Sequence, residues 1–338
     1  MSRTIRHHGR LSRRSVLIAA SAASLGWAAG PARSAAVASA SPNQVRIGFQ
    51  KSAVNLVVLK QQGALEKRFA DSKVQWVEFP AGPQLLEALS VGGLEFGLTG
   101  DSPPVFAQAA GRELLYVGAE PPKPLSSAVL VPAASPLRTL ADLRGKRIAL
   151  QKGSSSHYLL LNAVARGGLQ WSDIAPIYLP PSDARAAFEK GAVDAWAIWD
   201  PYYAATELDI KPRVLATGAG LSSNNSFYLA SRPFVERHAG AVQALLDELT
   251  RADAYVQSNR KEAAQLIADF SGLSLATVHL FISRRPPSPV ATLSPALVAD
   301  QQRVADAFEQ VGLIPRRIRV ADIVWSPQRA RLEAKVAA

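Results

Sequence analysis

The sequence predicts an α/β protein built as two lobes with a cleft between them. Short apolar runs alternate with helical patterns in two successive blocks, and after Pro233 the pattern turns helical almost to the end. Strands alternating with helices imply parallel sheets covered on both faces. The 23 prolines and 22 glycines in 338 residues suit a chain broken into many short elements. A composition of 48% hydrophobic and 19% charged residues supplies apolar surface for one large or two ordinary domains.

In the first block, residues 45–49 ("VRIGF") read as a strand, about 54–67 as a helix, and 74–79 as a second strand of alternating character. "GPQLLEALSVGG" reads as a helix, with Pro83 suited to its first turn and Gly92 to its stop. Residues 95–99 form a strand, 103–110 a short helix, and 114–119 and 128–131 two further strands. The second block offers a glycine break at Gly145, then a strand at 147–150, a helix at 156–165, a strand at 177–179, a helix at 184–190 and a strand at 195–199. Short strands at 214–216 and 227–231 follow. Neither a repeat nor a low-complexity tract interrupts this order after the first forty residues.

The formal charge of +11 suggests nucleic acid until it is located. Arg3, Arg6, Arg10, Arg13, Arg14 and Arg33 all precede Asn43, and no Asp or Glu does. The rest carries 32 Lys+Arg against 27 Asp+Glu, or +5, so the excess is largely a leader and no nucleic-acid partner is expected. Within that leader Arg13-Arg14 precede a weakly apolar stretch at 16–29, and Ala38-Ser39-Ala40 gives a small-residue cleavage pattern. "SRRSVLI" resembles a twin-arginine signal, so residues 1–40 are expected to be a cleaved signal peptide and the product periplasmic. The apolar run is shorter than the ~20 residues a membrane span needs. The absence of cysteine removes thiolate chemistry, Cys-ligated zinc and iron–sulfur clusters.

Ligands of open parallel sheets sit at the carboxyl ends of strands, so four loops carry the functional reading. After Phe49 comes Gln50-Lys51-Ser52; after Thr99, "GDSPP"; after Leu150, "QKGSSSH"; after the strand "AWAIW", "DPYY". A glycine and three serines at a helix start can cup an anion, because unpaired N–H groups and the positive dipole end point at it. The same serines can instead cap the helix, and the local residues favour capping. Asp101 and Asp200 stand before prolines that suit first helical positions, so both also read as caps. Trp196 and Trp199 are three apart on a strand and point to opposite faces; Trp199, at its end, is the better candidate to line the cleft. "GSSSH" is not a nucleophile elbow, no G-x-G-x-x-G, P-loop or H-E-x-x-H occurs, and His157, His238 and His279 lack metal-ligand spacing. No reaction apparatus is visible.

These residues resemble the aliphatic-sulfonate-binding proteins of bacterial ABC importers, the Ssu uptake system. "VEFPAGPQLLEAL", "TGDSPPVFAQAAG", "EPPKP", "QKGSSSHYLLL", "DARAAFEKGAVDAWAIWDPYY", "SFYLASRPF" and "RRPPSP" carry the likeness from Val45 to about Trp325. It implies a type II periplasmic-binding-protein fold, with residues 43–124 plus 226–338 as lobe one and 125–225 as lobe two, closing over the ligand in the cleft. It implies an alkanesulfonate ligand held by Gln50, Gly100, Asp101, Gly153, Ser154, Ser155 and Trp199, with Asp200 and Ser226 nearby. It implies no cofactor, no catalysis, a monomer, and a permease with its ATPase as partners. Taurine, sulfate esters or nitrate are alternative ligands. A desulfinase on the same fold is the enzymatic alternative, but such relatives lean on cysteine or clustered histidine, which this chain lacks. One departure stands in the first loop, where Ser52-Ala53-Val54-Asn55 replace the expected glycine and small polar residues. With the resemblance added, the serine-rich turn reads as an anion cup that also starts its helix.

Overall fold

The computed structural model describes residues 41–326; the arginine-rich leader and its expected cleavage site lie outside them. The chain first lays down β1 (Gln44–Phe49), α1 (Val54–Gln62), α2 (Ala64–Arg68), β2 (Lys73–Glu78), α3 (Gly82–Ser90), β3 (Phe96–Gly100), α4 (Ser102–Ala109) and β4 (Leu114–Glu120). It then builds β5 (Ser127–Val131), β6 (Arg147–Leu150), α5 (Ser155–Arg166), β7 (Ala175–Tyr178), α6 (Pro181–Glu189), β8 (Ala195–Trp199), α7 (Tyr202–Ile210) and β9 (Arg213–Thr217). β10 (Ser226–Ser231) precedes α8 (Arg232–Arg237), α9 (Ala239–Ser258), α10 (Arg260–Ser271), α11 (Leu275–Ser283) and α12 (Pro295–Gln310). The single helix expected at 54–67 is two, because Gly63 at φ 59° ends α1 in the left-handed region. No helix among the described residues is long and apolar enough to cross a membrane.

Two five-stranded sheets result, in the orders β2-β1-β3-β10-β4 and β7-β6-β8-β5-β9. Both are mixed, which corrects the expectation of parallel sheets. β10 runs against β3 and β4, and β5 against β8 and β9. The reason is where the chain enters. It leaves β4 at Glu120 and β9 at Thr217, at the ends where the parallel strands finish, and crosses to the other sheet there. A strand that starts at that end must run the opposite way. Register then aligns the site: Ser226 pairs with both Gly100 and Glu120, and Ser127 with Trp199.

The second sheet is buried on both faces, and the two faces form separate cores. Val129, Ile148, Leu150 and Ala197 pack under Leu159, Leu160 and Val164 of α5. Ala128, Leu130, Trp196 and Ile198 face Phe188 of α6 and Tyr203 of α7. Alternation along β5 and β8 therefore puts an apolar residue inward on either side. The first sheet lies in a larger core closed by α1, α9, α10, α11 and α12. Burying each such side chain contributes about 1.5–3 kcal/mol.

The crossing segments, residues 121–126 and 218–225, are bonded to one another. The Lys123 amide donates to the Ser223 carbonyl at 3.0 Å, the Asn224 side-chain amide to the Lys123 carbonyl at 3.1 Å, and the Gly218 amide to the Ser127 carbonyl at 3.1 Å.

Candidate functional site

The loops after β1, β3, β6 and β8 meet at one cavity, with about 50 Å³ in which the centre of a water-sized sphere fits. Gln50, Gly100, Ser154, Ser155, Trp199, Asp200 and Ser226 line it, joined by Ser52, Thr99, Lys123, Ser126, Asn224 and Phe281. The first sheet supplies the C-terminal ends of β1 and β3 and the start of β10; the second supplies those of β6 and β8. Gln50 is fixed by its side-chain amide on the Leu98 carbonyl at 3.0 Å. Trp199 stands edge-on to Tyr202, while Trp196 is wholly buried beside Phe188.

The start of α5 is built to leave donors free. Gly153 takes φ +73°, which a side chain rarely adopts, and turns the chain into the helix. Its amide donates to Nδ1 of His157 at 3.1 Å, so it is spent internally. Ser154 is the N-cap residue, yet its hydroxyl bonds the Gln151 carbonyl at 2.7 Å and the Ser156 hydroxyl at 2.9 Å instead of a helix amide. The expected serine cap is thus not made. Among the described residues the Ser155 and Ser156 amides have no hydrogen-bond acceptor. His157 is buried among Phe106, Phe308, Trp171 and Tyr178, and burial, aided by the nearby Lys152 charge, pushes its imidazole down to about 3. Its ring packs against the helix start and accepts the Gly153 amide.

The two aspartates differ. The sequence places Asp200 as the cap of α7 with Pro201 inside the helix; instead Pro201 fills the cap position and α7 starts at Tyr202, although Asp200 Oδ1 still accepts from the Ala204 amide at 2.9 Å. Asp101 caps nothing with its side chain; it accepts from the Ser102 hydroxyl at 2.9 Å and also meets the hydroxyls of Ser222, at 3.5 Å, and Ser155. Burial pushes Asp101 up to about 6 against these hydroxyls, and Asp200 up to about 7 against the Arg284 guanidinium. α4 starts with Pro103-Pro104, which removes two amides, so α5 is the helix with donors to offer.

Lys123 is the cation that the sequence reading did not place here. Its Nζ sits 3.1 Å from Glu120 Oε2, and Arg285 bonds the same carboxylate at 3.0 and 3.2 Å. Burial would raise Glu120, but the two cations and the Tyr228 hydroxyl hold it down to about 2. Burial lowers Lys123 itself, and the Glu120 carboxylate is the chief group that holds its charge in place. The Ser126 hydroxyl is buried with no partner. Among the described residues no group of three or more His, Asp or Glu is arranged to hold a metal ion.

This geometry can be set beside known proteins. Residues 38–270, more than half of the chain, match the NMT1-like family. The chain belongs to that family. Among proteins of known structure, the alkanesulfonate-binding protein SsuA from Xanthomonas axonopodis pv. citri, bound to MOPS, is 50% identical, with a TM-score of 0.82 over 85% of this chain and 99% of that one. The periplasmic aliphatic sulphonate binding protein SsuA from Escherichia coli is 48% identical, with a TM-score of 0.78 over 85% and 93%. An Escherichia coli (strain K12) relative whose name points to aliphatic sulfonates is 47% identical over 301 residues, 89% of this chain and 94% of the other.

Of the nine positions carried over from the family motifs, the structure brings seven to the cavity wall. Gly153 lies one residue behind it, against Phe106, and Asp101 faces a neighbouring space with Ser222, Asn225 and Asp300. In this NMT1-like chain Lys123 and Ser126 were missed because they follow β4 on a crossing segment and not a strand-to-helix loop. "EPPKP" was the one signal available. In the departing first loop, Ser52 reaches the cavity, and Asn55 is buried with its side-chain amide 3.4 Å from both Glu120 and the Ser288 carbonyl.

Proposed function

We propose that this protein captures aliphatic sulfonates in the periplasm and delivers them to an ABC importer, acting as a binding protein and not as an enzyme. The observation that carries this is the unpaired amide of Ser155, which lines the cavity together with Lys123 and the partnerless Ser126 hydroxyl, with the unpaired Ser156 amide next to it in the chain. A sulfonate is anionic at any cellular pH and spreads its charge over three oxygens, so several directed donors match it better than one point charge. Hydrogen bonds to a charged group contribute about 1.5–3 kcal/mol each. Four exceed the ~8 kcal/mol of micromolar binding, and the surplus is absorbed by lost freedom and ordering. Trp199, Phe281 and Leu98 offer apolar surface to a short tail. The head-group shell is Ser154, Ser155, Ser126, Lys123 and Gly100; Gln50, Trp199, Asp200 and Ser226 complete the wall, with Asp101 and Gly153 as support.

Residues 43–124 with 226–326 act as one lobe and 125–225 as the other, joined by the two crossing segments. The protein works as a monomer that presents its ligand to a permease driven by an ATPase. Thermal-shift and calorimetric titration with butanesulfonate, taurine, nitrate and sulfate tests the ligand class. Butanesulfonate at a hundredfold excess over Kd should add about 2.7 kcal/mol of stability. Stabilisation by nitrate or taurine alone would show the ligand to be misassigned, and sulfite release would show an enzyme.

A further inference from the structure

The stretch "RRPPSP" holds two adjacent arginines whose guanidinium groups part company. Arg285 turns inward to Glu120 and is 3% exposed. Arg284 crosses to the other half of the molecule. Its Nη1 lies 3.2 Å from Asp200 Oδ1 and 3.5 Å from Oδ2, its Nη2 bonds Glu207, and its plane sits 3.9 Å from the Tyr203 ring centre. Asp200, Tyr203 and Glu207 belong to the end of β8 and to α7, in the chain of the second sheet. Arg284 follows α11, which packs into the first sheet's core through Val278, Phe281 and Ile282.

The position matters because one partner of this bridge lines the cavity and the other follows a helix that does. Phe281, one helical turn before Arg284, lines it, and so does Asp200. α11 therefore contributes to the cavity wall through Phe281. Between the end of α11 and α7 the contact is made by the side chains of Arg284, Asp200, Glu207 and Tyr203. A planar guanidinium can fork to two carboxylates and stack on an aromatic ring at once, which an ammonium cannot. Asp200 is held on aim by the Ala204 amide, and Glu207 is 35% exposed, so water can solvate the pair when it opens.

We propose that Arg284 is the latch that fastens α11 to α7 over a bound ligand and sets how long the ligand stays. It is a positioning residue, acting through Asp200 and Phe281 with no contact to the ligand itself. The proposal rests on the cavity being the sulfonate site.

The test combines stopped-flow binding of butanesulfonate, followed by tryptophan fluorescence, with small-angle X-ray scattering of the ligand-free protein. Arg284→Gln should speed dissociation about tenfold or more, with association within about threefold of the parent. Arg284→Lys should fall between the two, and Glu207→Gln should add little once Arg284→Gln is present. Unchanged dissociation in Arg284→Gln, or a loss confined to association, overturns the latch. If Arg284→Gln does not fold, Glu207→Gln decides: faster dissociation supports the proposal and parental dissociation overturns it. If the parent binds no alkanesulfonate, the functional reading fails by itself. Scattering then still judges the latch: a larger radius of gyration in Arg284→Gln supports it, and an equal one overturns it.

Discussion

Asp101 shows what a single buried carboxylate does to this protein. It is 1% exposed, with hydroxyls as its side-chain partners and no guanidinium beside it. Burial raises its carboxyl from 3.8 to about 6, with the Asp300 charge adding a little. Between those values the folded state binds a proton that the unfolded state has released. Stability therefore falls as pH climbs through that window and stays lowered above it. Asp101→Asn keeps an oxygen for the Ser102 hydroxyl and offers an amide to Ser222 and Ser155, whose hydroxyls can accept. At pH 8 the ligand-free variant should melt about 2–4 °C above the parent, and the gap should close below pH 4. Melting curves across pH 4–8 check this; a variant less stable than its parent at pH 8 would mean that the ionised form is well satisfied.

At the scale of elements, the junction between the end of β3 and the start of α5 is the tightest point of the site. A Cβ on Gly100 would stand 1.8 Å from Ser155 Oγ and 3.1 Å from Ser155 Cβ. Gly100→Ala must turn that hydroxyl away from Asp101 and press the α5 start back by a few tenths of an ångström. Affinity for butanesulfonate should drop about tenfold or more, because donors held in place by rigid elements lose value when displaced. Adding Ser155→Ala should recover part of the loss if the hydroxyl is the main obstacle, and calorimetry on the three variants separates the cases. Most elements were legible in the sequence from apolar period and Gly/Pro punctuation, although the helix expected at 54–67 is broken at Gly63 and some ends shift by a few residues. "RIAL" and "AWAIW" fill β6 and β8 to the residue. Strand direction was not legible: β5 and β10 run against their neighbours because of the end at which the chain enters. The destination of each serine hydroxyl was hidden too. Whether Ser154 caps its own helix depends on the Gln151 carbonyl 2.7 Å away, a matter of backbone path and not of residue type.

At the scale of the whole molecule, Glu120 joins parts that sequence places far apart. It ends β4, faces Lys123 on a crossing segment, takes the Tyr228 hydroxyl of β10 at 2.8 Å, and receives Arg285 from beyond α11. Asn55 of α1 reaches it at 3.4 Å. Such a hub is costly to desolvate, but breaking it costs more, since a buried cation is left without its partner. Glu120→Gln leaves Arg285 facing a neutral amide, so the variant should lose about 3–5 kcal/mol near pH 7. The dependence on pH gives the assignment its sharper test. A carboxyl held down to about 2 lends stability above its unfolded value of 4.5 and withdraws it as pH falls between the two. Urea titrations at pH 7 and pH 3 should therefore show a wide gap between parent and variant at neutrality and a narrower one in acid. An equal gap at both would mean that the loss comes from packing and not from charge. Ligand affinity adds a second readout, because Lys123 shares this carboxylate while lining the cavity. Burial lowers Lys123 and Glu120 is the chief group that keeps it charged, so a folded Glu120→Gln protein should bind butanesulfonate more weakly, and parental affinity would show that Lys123 keeps its charge without Glu120.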